Sequence, residues 1–151
     1  MLLLLAAGPV ISGAEPSHIP KQFSASIGGF MGGGYKLELR DGILTYTTFR
    51  GGYSNPRRTT VRPKAAQWRD FRQALDWLKV WRWRAEYPNK QAKDGTQWTF
   101  EIAYADRTIK SHGDNSYPDS TGKPNRKPEP TKAFEDYLDA VQKLIGGKTF
   151  R

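Results

Sequence analysis

No cysteine occurs anywhere in the chain. Disulfide scaffolds, thiolate metal sites, cysteine nucleophiles and a lipid-modified cysteine are therefore excluded. Histidine is scarce, with His18 and His112 the only two. Neither has a second histidine at zinc-ligand spacing, so the sequence predicts no metal site and no cofactor. Acidic residues are few: 15 Asp and Glu stand against 24 Lys and Arg, a net charge of +9. Apolar runs are also short, and none reaches the ~20 residues a membrane-spanning helix needs. No G-x-S-x-G elbow, phosphate-binding glycine loop or EF-hand calcium loop is present.

What is present reads as one small domain. A chain of 151 residues can bury a core without staples, and aromatics at 13% supply much burial per residue. Leu2–Ala14 is uncharged and mostly apolar, and Ser12-Gly13-Ala14 precedes Glu15 as a small-residue cleavage pattern. Residues 1–14 are read as a signal peptide, although no Lys or Arg follows Met1. Residues 15–151 are then a single exported domain, expected in a periplasm or outside the cell.

Phe23, Ala25 and Ile27 alternate with Ser24 and Ser26, which predicts a half-buried strand. Gly28–Gly34 holds five glycines and reads as a hairpin connection. Asp41-Gly42 is a two-residue type I′ turn. It pairs Arg40 with Ile43, Leu39 with Leu44, Leu37 with Tyr46 and Tyr35 with Thr48. Lys36, Glu38, Thr45 and Thr47 then share the wet face. Arg58–Val61 adds a short strand, and Pro63 suits the first turn of a helix. Trp68, Phe71, Leu75 and Leu78 form the apolar stripe of that helix.

At Val80 the period changes to two. Trp81, Trp83, Ala85 and Tyr87 against Arg82, Arg84 and Glu86 predict a strand. Trp98–Tyr104 and Thr108–Ser111 predict two more. Glu101 shares a face with Arg82 and Arg84, which predicts a cross-strand ion pair. Pro118–Pro130 contains four prolines with Lys123, Arg126 and Lys127, and is expected to be a mobile basic loop. Thr131 can cap a last helix carrying Phe134, Leu138, Val141 and Ile145, which Gly146-Gly147 ends. The fold expected is α+β: an antiparallel sheet of about six strands with two helices on one face, in the order βββ(β)-α-βββ-α.

Asp94-Gly95-Thr96-Gln97-Trp98 opening a strand, Gly113-Asp114-Asn115-Ser116-Tyr117-Pro118, and a closing amphipathic helix resemble an uncharacterised group of bacterial domains, often exported. The resemblance covers about the last half of the chain and implies no activity. The Pro-rich insertion before the helix departs from the usual spacing. Read from the residues, the motif is structural: Asn suits a positive φ, and Tyr117 can cover the sheet edge.

Eleven Lys or Arg and three Asp or Glu lie between Arg57 and Lys93. This basic stretch, interleaved with aromatics, points to a non-catalytic module that binds an anionic polymer or acidic protein; nucleic acid is a less natural partner for an exported chain. Trp68, Trp81, Trp83 and Trp98 are assigned to the core. Trp77 and Tyr53 are the expected exposed anchors. Arg57, Arg58, Arg69, Arg72, Arg82 and Arg84 are the expected cationic complement, with Arg82 and Arg84 on the outer sheet face. The alternative is a small hydrolase near the 113–118 loop, using His112 as base beside Asp114 and Ser116, or paired carboxylates drawn from Asp94, Glu101, Asp106, Asp114 and Asp119. A third reading is a purely structural module.

Overall fold

The computed structural model describes residues 18–29, 31–51, 54–89, 95–125 and 127–151. The leader, Tyr53 and Asp94, to which the sequence assigns roles, lie outside the described residues. The elements run β1 (Gln22–Gly29), β2 (Gly33–Arg40), β3 (Ile43–Phe49), β4 (Arg57–Val61), α1 (Ala65–Leu78), β5 (Glu86–Tyr87), β6 (Thr96–Ala103), β7 (Thr108–Asp114) and α2 (Lys132–Leu144). They form the expected α+β domain, with seven strands in the order β4-β3-β2-β1-β6-β7-β5. All neighbours are antiparallel except β5 and β7. No described helix is long and apolar enough to cross a membrane.

The β2–β3 hairpin has the register its turn demands, with Arg40 opposite Ile43 and Tyr35 opposite Thr48. Asp41 and Gly42 take φ of 50° and 75°, the signature of a type I′ turn. The sheet is closed at its centre by β1 against β6, where Phe23 meets Ile102 and Ile27 meets Trp98. Alternation sends Phe23, Ala25, Leu37, Leu44, Trp98, Phe100 and Ile102 into one buried face.

Trp68, Phe71 and Leu75 of α1 and Phe134, Leu138 and Val141 of α2 cover that face. The helices are delimited as their sequences require. The Phe134 N–H donates to Thr131 Oγ1 at 3.1 Å, and Gly147 N–H donates to the Gln142 carbonyl at 2.8 Å beyond the last turn. Pro63 falls two residues before α1, whose N-cap is Lys64.

Two segments differ from expectation. Residues 80–85 are not a strand. Lys79 takes φ 54°, a 3-10 turn spans Val80–Arg82, and pairing resumes only at Glu86–Tyr87. Turn bonds, side chains and one bond from β7 satisfy this backbone: the Trp83 N–H donates to the Val80 carbonyl at 2.9 Å, the Arg84 N–H to the Tyr87 hydroxyl at 2.8 Å, Ser111 Oγ to the Arg84 carbonyl at 2.7 Å, and the His112 N–H to the Ala85 carbonyl at 3.0 Å. Trp83 and Tyr87 are still buried, Trp81 half so. Arg82 and Arg84 therefore lie off the outer sheet face, and Glu101 instead takes Lys110 at 3.9 Å.

The Pro-rich loop is tied down. Asp119 Oδ1 accepts from the N–H groups of Thr121 and Lys123 and from the Thr121 hydroxyl, at 2.6–3.0 Å. Asn125 bridges Tyr117 N–H and the Glu129 carbonyl, and Tyr87 donates to the Gly122 carbonyl at 2.6 Å. Prolines leave few donors in the loop, so side chains of Asp119 and Asn125 take over the hydrogen bonding.

Candidate functional site

The Gly95–Trp98 and Gly113–Pro118 segments are built as packing. Asn115 sits at φ 45°, its side-chain oxygen accepting from Thr96 N–H at 2.8 Å while its own N–H donates to the Thr96 carbonyl at 2.9 Å. A Cβ on Gly95 would lie 1.5 Å from the Asn115 amide, so only glycine admits this clamp. Trp98 lies flat on Gly113, and its indole N–H donates to the Ser116 carbonyl at 3.0 Å. Tyr117 then packs on Phe134, ring centroids 4.8 Å apart, tying the loop to α2.

That construction engages the two serines near His112. Along β7, His112 and Asp114 point to the open face while Ser111 and Gly113 point to the core. Ser116 is buried and the Ser111 hydroxyl is committed to a carbonyl, so neither serine meets His112. The His112 ring is exposed, with Nε2 4.0 Å from Glu86 Oε1. A depression of about 450 Å³ holds Glu86, Thr99, His112 and Asp114. Among the described residues no three His, Asp or Glu side chains converge to hold a metal.

The expected binding residues are not brought to one place. Arg57 and Arg58 lie on edge strand β4, whereas Arg82 and Arg84 precede β5 at the other edge. Six strand spacings of about 4.8 Å separate those edges, roughly 29 Å.

Arg72 is engaged elsewhere. It donates to both Asp106 oxygens at 3.0 and 2.8 Å and to Asp76 at 3.1 Å, and stacks on Tyr104 and Trp81 at 4.4 and 5.3 Å. These bonds, first the one to Asp106, push its pKa above the ordinary guanidinium value. They also hold the Asp106 carboxyl below its usual range. With a side chain only 14% exposed, Arg72 is a rivet between α1 and the β6–β7 turn. Arg69 is exposed and pairs with Asp70 at 3.2 Å.

Trp77 is the exposed aromatic the sequence predicts, at 86%. The two grooves it borders, of about 480 and 630 Å³, contain Asp70, Asp119, Asp136, Asp139, Lys79, Lys132 and Lys143 but no arginine. A larger cleft of about 700 Å³ opens at the glycine hairpin. Among its described lining residues only Glu129 and Arg151 are charged, and Arg151 is paired with Asp139.

Other described cations without an ion pair, Lys79, Arg82, Arg84, Lys127 and Lys148 among them, are scattered, but five fall on the β3–β4 side. Arg50, Arg57, Arg58, Arg62 and Lys64 form no ion pair with any described carboxylate. Residues 43–69 contain no acid at all, the sequence signal that local net charge blurs by averaging over Asp70, Asp76 and Glu86. Strand β4 exposes Arg57, Arg58, Thr59 and Thr60 and has no partner on its outer side among the described residues. Set against protein-family models and curated proteins, the chain matches none.

Proposed function

We propose that the chain is an exported, non-catalytic binding module that engages an anionic polymer or acidic protein through the basic β3–β4 edge. The observation that carries this reading is the set of unpaired cations on an exposed edge strand in an acid-free segment. Unpaired cations elsewhere lie among carboxylates of their own segments, whereas residues 43–69 hold none, so positive charge is least offset along this edge. Arg57 and Arg58 are kept from the sequence reading, and Arg50, Arg62 and Lys64 join them. The apolar leader supports a periplasmic or extracellular site of action, and the motif likeness supports kinship with exported bacterial domains.

The test is binding to polyglutamate, a sulfated glycan and duplex DNA across a salt series. Arg57→Glu/Arg58→Glu should abolish binding, whereas Arg82→Glu/Arg84→Glu should leave it within about twofold. Each engaged cation contributes about 0.9 to the salt slope on DNA. Equal binding by the β4 double variant and the wild type would sink the proposal.

A further inference from the structure

Resting on the basic-edge reading, we propose that β4 accepts an extended acidic polypeptide segment as an added strand, with one apolar side chain of that segment seated in a socket at the Val61 end. A sheet edge presents main-chain donors and acceptors that a second chain can pair, and side-chain pockets then supply specificity. Three independent features of this edge fit such a partner.

The first is openness. Among the described residues β4 pairs only with β3, and four of its five residues are exposed. The second is charge on both faces. The register puts Arg58 and Thr60 opposite Thr47 and Thr45 on the face away from the helices, where Thr47 is buried, and Arg57 opposite Thr48 on the helix side. Acidic side chains of either parity on an added strand would meet an arginine. The same arginines oppose pairing of β4 with β4 of a second copy, which would set like charges against each other.

The third is the socket, a cavity of about 210 Å³ lined by Ile19, Ile43, Leu44, Val61, Pro63 and Trp68. Ile19 and Ile43 are each 49% exposed. They are two of only four large apolar side chains left exposed among the described residues. The cavity is sized for one side chain, and Arg62 joins its lining. A purely ionic polymer has no use for it; a peptide with one apolar residue does.

The experiment uses the full chain and a peptide of alternating glutamate and threonine bearing a terminal leucine. Its comparators are the same peptide N-methylated at alternate amides, polyglutamate and a sulfated glycan. Expected are saturable binding of the peptide, a loss of about tenfold or more on N-methylation, and weakening by Ile43→Ser of the peptide but not of polyglutamate.

If N-methylation and Ile43→Ser change nothing while Arg57→Glu/Arg58→Glu still abolishes binding, strand addition is wrong and the basic-edge reading stands. If the charge-reversed variant binds every probe as the wild type does, both fail. Concentration-dependent dimers lost on Arg57→Glu/Arg58→Glu, seen by sedimentation, would assign the edge to a second copy and overturn the proposed occupant.

Discussion

Replacing Gly113 by alanine tests whether the glycine-asparagine-tyrosine motif is architecture. The added Cβ would lie 2.3 Å from Trp98 Nε1 and 2.5 Å from the Ser116 carbonyl oxygen. These atoms are the donor and acceptor of one buried hydrogen bond. The φ of Gly113 is not positive, so the penalty is steric, not conformational. The indole cannot swing aside, since Phe134, Tyr87 and Trp83 hold it at centroid distances of 4.9, 5.7 and 6.0 Å.

Overpacking of this kind costs about 1–3 kcal/mol, and leaving the indole N–H unsatisfied costs about 1–3 more. The sum is about 2–6 kcal/mol, a fall in Tm of about 6–18 °C at about 3 °C per kcal/mol for a domain of this size. Urea and thermal unfolding read it. Gly32→Ala is the control, because a Cβ there meets nothing within 4 Å. A double-mutant cycle with Trp98→Phe should show a coupling above about 0.5 kcal/mol. A Gly113→Ala protein within about 1 kcal/mol of wild type would refute the packing account. Binding lost at unchanged stability would instead make this turn a ligand loop.

Trp77→Ala should leave stability within about 0.5 kcal/mol, whereas Trp83→Ala, which removes a ring packed on Trp98, Phe100 and Tyr137, should cost about 3–5 kcal/mol; chemical denaturation separates the two. Arg72→Lys should lower Tm despite keeping the charge, because lysine cannot make the two-pronged bond to Asp106 and lie on Tyr104 at once. Asp119 is held below the ordinary carboxylate value, first by the Thr121 hydroxyl. A depressed folded-state pKa contributes stability above the unfolded value, near pH 4, that is lost as pH falls through the folded one. Asp119→Asn should therefore flatten the stability profile below about pH 4 in acid titrations of Tm; an unchanged slope would show that the loop clamp contributes nothing.

Much of the fold was legible because its signals are local. The Asp41-Gly42 turn determines the positions of its neighbours through two positive φ angles, and the register of β2 on β3 follows. Helix stripes at Trp68–Leu75 and Phe134–Val141 depend only on a period of 3.6. The segment from Trp81 to Tyr87 misleads because alternation of aromatics and arginines is also what a 3-10 turn followed by an extended passage shows. The decision for that backbone came from Ser111 and Tyr87, which supply two of its hydrogen bonds. The basic loop at 118–130 misleads because composition does not reveal that Asp119 and Asn125 hold it closed.

By itself the sequence determined most of the elements, the two faces of the sheet and an excess of positive charge, since each depends on residues a few positions apart. Only the tertiary structure decided where that charge acts. Pairing β1 with β6 across 67 to 81 residues puts β4 at one edge and β5 at the other. Arginines close in sequence are thereby separated, Arg72 is riveted between carboxylates, and Arg57 and Arg58 are left facing water. Which strand becomes an edge depends on long-range pairing, and no local pattern encodes it.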